Sequence, residues 1–235
     1  MLALGAVDAA RLVSLATGRG GIPDGAEWPV VLVLLSLLAF VGTRILMAVG
    51  LTIVESLLVC ALSPLLVLVD APLGQLSSRM SLAANLAGCL IPAAVAVKVL
   101  LERRVPWAEG ALLLGTGVIV AYFSSHVEPD RGVLLQYRVP AVVLGVLAAG
   151  LLYRTPDRSG AAAFMAGALG VVFGADVMHL SELASGAGHG RVVLGGAGLL
   201  DGILLVAILA AAIGELLALV LRALVKVRVP SEPTV

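Results

Sequence analysis

The feature that most constrains this chain is a succession of long apolar segments, of which the run over residues 28–69 is an example. That run is about twice the length of one membrane-crossing helix, because a hydrocarbon core of about 30 Å needs about 20 residues per helix. In the whole chain 60% of the residues are hydrophobic and 13% are charged, and the mean hydropathy is +1.12. An ordinary soluble domain has about 25% charged residues. We therefore predict an integral membrane protein.

Breaks in the apolar pattern predict an all-α, polytopic transmembrane helical bundle of about seven spans. Two spans are expected within residues 28–69, joined by a tight turn near residues 44–50, and the others at residues 81–101, 107–123, 140–152, 160–180 and within 192–221. The polar stretches at residues 70–79 and 124–138 are predicted to be loops. Small residues, including 27 glycines, outnumber the aromatic side chains, which make up 4% of the chain. This composition favours helices that approach one another closely.

The chain is predicted to have three parts. Residues 1–27 form an extramembrane or interfacial N-terminal segment, residues 28–221 the transmembrane domain, and residues 222–235 a basic, proline-containing cytoplasmic tail. The predicted spans place nine of the 15 Lys and Arg residues on the side of the C-terminus and six on the other. The excess of positive charge predicts a cytoplasmic C-terminus and an N-terminus on the outer side of the membrane.

The charge pattern gives no reason to expect a nucleic-acid partner. The formal net charge is zero, and no long basic run is present. The sequence contains no phosphate-binding loop and no dinucleotide fingerprint in a suitable context, so we predict no cofactor. The expected partners are the lipid bilayer and, within the protein, a small ion or solute.

Two aspartates, Asp176 and Asp201, lie within the last two apolar segments and are the main candidates for a functional site. A carboxylate in a hydrocarbon layer is costly unless it is paired or hydrated, so an ionisable residue there indicates function. Asp201 follows a glycine cluster made of Gly195, Gly196 and Gly198. In the predicted topology both aspartates lie at similar depth near the outer leaflet.

Three segments of the chain resemble the bacterial and archaeal membrane family called domain of unknown function 1614. They are NLAGCLIPAAVAVKVLLE from Asn85, GALGVVFGADVMHL from Gly167 and GGAGLLDGILLVAIL from Gly195. In the family these correspond to an Asn-x-Gly-Gly-x-x-x-Pro-like segment, a Gly-Ala-Asp segment and a Gly-Gly-Ala-Gly-x-x-Asp-Gly segment, in this order. The resemblance covers roughly residues 81–221. It departs from the pattern where Ala87 and Gly88 replace paired glycines.

This resemblance implies a polytopic protein of a prokaryotic plasma membrane whose activity is not established, and it singles out Asn85, Asp176 and Asp201. The leading hypothesis is a site for a cation, proton or small solute. In it the glycine cluster unwinds the start of the last span, so that backbone carbonyls and these three side chains line a protein-walled cavity. We expect binding or translocation there, and whether the protein is an enzyme stays open.

Two alternatives remain. Asp176 and Asp201 could form the dyad of an intramembrane aspartyl protease, in which one carboxyl keeps a proton and the other acts as a base. Against this, Phe173 and Ala175 occupy the positions of the two glycines in the Gly-x-Gly-Asp motif of such proteases. In the structural alternative, Asp201 is favoured by a helix N-terminus by ~0.3–1 kcal/mol, Asp176 reaches water, and the glycines serve close packing.

A metal site is a further, weaker hypothesis. Asp176, His179 and Glu182 follow one another at three-residue steps and so lie on neighbouring parts of one helix surface. Nitrogen and oxygen ligands of this kind hold zinc in proteins, and His189 is the other candidate ligand nearby. The spacing matches no established metal-binding signature.

Overall fold

The structure, a computed structural model, describes residues 28–66, 69–77, 80–102, 105–128, 132–182, 190–195 and 202–228. The seven α-helices in these ranges are α1 Trp28–Val49, α2 Ile53–Leu66, α3 Ile91–Leu101, α4 Trp107–Phe123, α5 Arg138–Leu152, α6 Pro156–Val171 and α7 Gly202–Arg228. Two π-helical segments, Leu86–Leu90 and Val172–Val177, directly precede α3 and follow α6. The strands are β1 Asp70–Ser77, β2 Met80–Asn85, β3 Ser125–Glu128, β4 Gly132–Leu135 and β5 Gly190–Leu194.

The predicted helical character is confirmed, and several helix positions agree with the apolar pattern. Helix α4 covers Trp107–Phe123 as predicted, and α5 extends the predicted span by two residues at its N-terminal end. The run over residues 28–69 does contain two helices. They are separated at Gly50, whose φ of 117° lies in the region that favours glycine. The predicted N-terminal segment, residues 1–27, lies outside the described residues.

The strands correct the all-α prediction. Residues 70–79 and 124–138 were expected to be loops, but they contain β1 and the β3–β4 hairpin. The predicted span at 81–101 begins with strand β2, so that only Ile91–Leu101 forms an α-helix there. Strand β1 contains Pro72, which cannot donate a backbone hydrogen bond. This proline is accommodated because β1 is an edge strand, where an absent N–H disrupts no inner ladder.

The three-stranded sheet has the order β1-β2-β5 and determines which chain segments meet. Strand β2 pairs antiparallel with β1, so that Asn85 lies opposite Asp70. Strand β5 pairs parallel with β2, with Ala84 opposite Leu194. The C-terminal ends of β2 and β5 therefore lie side by side, although more than 100 residues separate them in the chain.

Helix α6 forms the centre of the fold. Every residue from Ser159 to Val171 is buried, and α6 packs against α1, α3, α4, α5 and α7. Small residues make these approaches close. A Cβ atom added at Gly117 of α4 would lie 2.6 Å from the carbonyl oxygen of Ala166. The helices thus gain dispersion contacts along much of their length without large side chains between them.

Two helical segments, Pro156–Glu182 and Ile203–Lys226, are long and apolar enough to cross a membrane by length and composition. The first of them is mostly buried inside the protein, and a buried core helix of a soluble protein meets the same criterion. The seven-span arrangement and its orientation therefore stay predictions. The tail that was expected from residue 222 is helical as far as Arg228, because α7 continues that far.

Candidate functional site

Asn85 lies at the end of β2 and begins the π-helical segment Leu86–Leu90. Its side-chain oxygen accepts a hydrogen bond from the Gly88 N–H at 2.9 Å, as in an N-cap. Its amide nitrogen donates to Asp70 Oδ1 at 2.9 Å and approaches the Val69 carbonyl at 3.5 Å. The oxygen thus faces a donor and the nitrogen faces acceptors, which fixes the orientation of the buried amide. Asn85 holds the start of β1 against the turn that leads into α3.

Gly195 follows β5 and contacts that same turn. Its φ of 67° lies in the left-handed region, which glycine adopts without steric cost. A Cβ atom at this position would lie 2.7 Å from the Cys89 nitrogen and 2.8 Å from the Gly88 carbonyl carbon. Both the backbone conformation and the close approach therefore require glycine here. The approach brings the backbone of the segment that begins at Gly195 directly against the backbone of the segment that begins at Asn85.

Asp176 connects the segment that begins at Gly167 to the segments that begin at Asn85 and Gly195. It lies in the π-helical segment Val172–Val177, and its Oδ2 accepts a hydrogen bond from the Gly195 N–H at 3.0 Å. The carboxylate is half-buried, and within the described part of the chain Gly195 supplies its one hydrogen bond. π-helical turns inside α-helices are frequent at functional sites. This one begins where α6 leaves the centre of the fold.

The structure therefore brings together Asn85, Asp176 and Gly195, which the sequence had singled out separately. We call the group formed by these residues, Gly88 and Cys89 the junction. Asn85 was predicted to bind a ligand. In the structure its amide atoms bond to Asp70 and Gly88 and shape the junction, and its contact with a ligand stays a prediction. Three other predicted site residues, Gly196, Gly198 and Asp201, lie outside the described residues. The carboxylate dyad of Asp176 and Asp201 thus stays a prediction.

His179 lies beyond Asp176 in the chain and has different partners. Its Nδ1 lies 3.0 Å from Glu182 Oε2, and its Nε2 lies 3.0 Å from Ser125 Oγ. The buried ring stacks on Tyr122 with centroids 4.9 Å apart. Sequence reasoning missed Ser125, because it lies in a stretch predicted to be a loop and no motif marks it.

The metal hypothesis gains no support from this arrangement. Among the described residues, no group of three His, Cys, Asp or Glu side chains could hold a metal ion. Each ring nitrogen of His179 already faces a protein partner, Glu182 or Ser125. His189, the remaining candidate ligand, falls outside the described ranges.

A second polar contact missed in the sequence connects α2 to α3. Glu55 forms a capping box with Thr52, whose N–H and hydroxyl donate to Glu55 Oε2 at 2.8 and 3.0 Å, while the Glu55 N–H donates to the Thr52 hydroxyl. Lys98 of α3 donates to Glu55 Oε1 and lies 3.7 Å from Glu102. The spacing Thr-x-x-Glu was the available signal for this helix start. It had been hidden within a continuous apolar run.

These features define a class: a mostly helical, strongly apolar protein in which a small sheet joins interrupted helices around one aspartate. The chain matches the family model described as Protein of unknown function (DUF1614) over residues 63–213, which is more than half of its length. The chain belongs to this family, which confirms the resemblance, although the match begins before residue 81 and ends before residue 221. Comparisons with curated proteins and with solved structures gave no match.

Proposed function

We propose that this chain is an integral protein of a prokaryotic plasma membrane and that it binds a small cation, a proton or a small polar solute at Asp176. Translocation is the activity that such binding would serve. The outer faces of α2, α4, α5 and α7 support a lipid-facing surface, because they expose large apolar side chains such as Leu58, Ile119, Val146 and Leu219. Contiguous apolar surface of this kind is typical of membrane contact.

The helix lengths fit this proposal with one adjustment. Helix α1 has 22 residues and α7 has 27, which at 1.5 Å per residue gives about 33 and 40 Å. Helices α2, α3, α4 and α5, with 14, 11, 17 and 15 residues, are shorter than a full span. Short helices are accommodated where the bilayer thins or where the chain is surrounded by protein. Buried Ala83, Ala84 and Asn85 place the end of β2 in such a protein environment.

The observation that carries the proposal is the hydrogen bond from the Gly195 N–H to Asp176 Oδ2. It holds the carboxylate next to two interruptions of regular α-helix, the π-helical segment before α3 and the one after α6. Interrupted helices expose backbone carbonyls and N–H groups, and transporters use such ends with a buried carboxylate to bind ions. Within the described residues the other oxygen of Asp176 has no hydrogen-bond donor, so it is available to a ligand.

The test is cation-dependent thermal stability of the full-length protein in lipid nanodiscs. Sodium, potassium or calcium is titrated at constant ionic strength against a bulky organic cation, and proton binding is followed as a pH dependence. A ligand that binds only the folded state at 100 times its Kd stabilises by about 2.7 kcal/mol. We expect Asp176→Asn to lose this increase. The variant should still fold, because the Asn oxygen can accept the Gly195 N–H.

The matched control is Asp157→Asn, which removes an exposed carboxylate from the first turn of α6, the helix that leads into the π-helical segment containing Asp176. It should keep the wild-type response. Equal stabilisation of wild type and Asp176→Asn by every cation and by protons would contradict the proposal. Ion flux into proteoliposomes then separates translocation from binding alone, since a binding protein without transport would keep the thermal shift and show no flux.

A further inference from the structure

A second polar group lies about one helical turn beyond Asp176 and contains Ser125, His179 and Glu182. Ser125 is the first residue of β3, directly after α4, whereas His179 and Glu182 follow the π-helical segment. The three side chains form a line in which Ser125 Oγ, the imidazole and Glu182 Oε2 are joined by two contacts of 3.0 Å. We propose that they form a nucleophilic site that reacts with carboxylic esters carrying an apolar acyl chain.

The first step of the argument is the tautomer of His179. An ionised carboxylate only accepts hydrogen bonds, so the Nδ1 atom facing Glu182 Oε2 must carry the proton. In the neutral imidazole, Nε2 then presents its lone pair to Ser125 Oγ. A hydroxyl next to a base that a third group orients is the arrangement that activates serine nucleophiles.

The burial of the group fits these roles. The side chain of His179 is 8% exposed, so the base is sheltered, and its stacking on Tyr122 fixes the plane of the ring. Ser125 is half-buried and therefore open on one side. The Glu182 side chain is 60% exposed, so water screens its interaction with the imidazole. Its removal should therefore slow the reaction less than removal of His179.

Backbone carbonyls compete for the proton of Ser125. Its hydroxyl also lies 2.8 Å from the Ala121 oxygen and 3.0 Å from the Tyr122 oxygen, so one proton is shared among three acceptors. This competition predicts a slow nucleophile. The same contacts also hold the start of β3 against the residues that follow the π-helical segment Val172–Val177.

The preference for an apolar acyl chain comes from the neighbouring side chains. Phe123 is 80% exposed and lies two residues before Ser125, with its ring against Tyr122. Met178 is 52% exposed and precedes His179. Both are neighbours of the reacting residues in the chain, and an acyl chain that covers them gains about 25 cal/mol for each Å² of apolar surface removed from water.

The reaction is balanced in two steps. Ser125 Oγ forms a bond to the ester carbonyl carbon while its proton moves to His179 Nε2, and the carbonyl π electrons move to oxygen. The tetrahedral intermediate then expels the alcohol, which takes the proton from Nε2 and leaves an acyl-serine. Water, deprotonated by the same nitrogen, releases the acid and restores Ser125. No oxidant, reductant or cofactor is needed.

The experiment uses an alkyl fluorophosphonate, which bonds to an activated serine with loss of fluoride, on the full-length protein in mild detergent. Peptide mass spectrometry locates the label. We expect labelling at Ser125, its loss in Ser125→Ala, and labelling at least about 100-fold slower in His179→Gln, since a general base contributes 10²–10⁴-fold. Glu182→Gln should be intermediate.

The matched control is Ser63→Ala. The Ser63 hydroxyl donates to the Val59 carbonyl at 2.6 Å and, like Ser125, lies on a half-buried residue. Ser63 should not be labelled, and labelling of Ser125 should not require the Ser63 hydroxyl. A series of p-nitrophenyl esters with two to eight acyl carbons should give a kcat/KM that rises with chain length in wild type and not in Ser125→Ala. Absence of label on Ser125 in folded wild type, or equal labelling rates in His179→Gln, would overturn the proposal.

Discussion

At the crossing of α4 with α6 and at the junction, two backbones lie so close that an added Cβ atom would overlap the neighbouring chain. Different interactions stabilise the two places. At the crossing, an added Cβ atom at Gly117 would meet backbone atoms of Ala166 and Gly170. At the junction, Gly195 meets Cys89, and Asn85 and Asp176 bond to backbone N–H groups around it. At the junction, close packing positions the carboxylate of Asp176. At the crossing, it contributes only to the stability of the fold.

The largest expected effect comes from breaking the crossing. Gly117→Leu places a Cβ 2.6 Å from the Ala166 oxygen, so the helices must separate. Overpacking of this kind typically costs 1–3 kcal/mol and occasionally more, and we expect about 3 kcal/mol. The measurement is the unfolding midpoint in detergent. The control, Gly115→Leu, lies on the same helix with nothing within 4 Å of an added Cβ and should change little. Equal losses in both variants would contradict a specific crossing.

Gly195→Ala makes the corresponding change at the junction. A positive-φ residue costs about 1 kcal/mol or more when it is not glycine, and the added methyl group also overlaps Cys89, so we expect about 2–3 kcal/mol. Gly74→Ala is the matched control for backbone strain alone, because Gly74 has a φ of 150° but nothing lies within 4 Å of an added Cβ atom. Unlike Gly117→Leu, Gly195→Ala should also abolish cation-dependent stabilisation. If Gly195→Ala folds and responds to cations as wild type does, the junction does not position Asp176.

Asn85→Asp tests the polar contacts of the junction without changing its shape. The new carboxylate can still accept the Gly88 N–H, but its second oxygen faces Asp70 Oδ1 where an amide had donated. Loss of a buried hydrogen bond and the facing charge should cost about 2 kcal/mol. Asp70→Asn restores a donor opposite the new carboxylate, so the double variant should regain part of that loss in a double-mutant cycle. Additive losses would show that the two side chains do not interact.

The two regions also differ in how far the sequence predicts them. Helix α4 was predicted to the residue, because Pro106 precedes its mostly apolar run and the polar stretch from Ser124 follows it. Asp176 was singled out as a carboxylate in apolar surroundings, and Asn85 was singled out by the family resemblance. Their meeting was not predicted, since it depends on the parallel pairing of β2 with β5 across more than 100 residues. Local periodicity carries no information about such pairing, and short apolar strands resemble helix segments.

The contact between α6 and α7 combines close packing with a polar hydrogen bond. Breaking it should give the smallest of the expected losses of stability. Buried Ser159 of α6 donates a hydrogen bond to the Gly214 carbonyl of α7 at 3.0 Å, and a Cβ at Gly214 would lie 3.3 Å from the same hydroxyl oxygen. Ser159→Ala removes the donor and leaves the packing, so we expect a loss of about 1 kcal/mol, the typical net value of one hydrogen bond. Thr116→Val on α4 is the control, because its hydroxyl bonds within its own helix. A loss near 3 kcal/mol in Ser159→Ala would mean that α6 and α7 depend on polar contacts as strongly as the junction does, and the contrast between the two regions would fail.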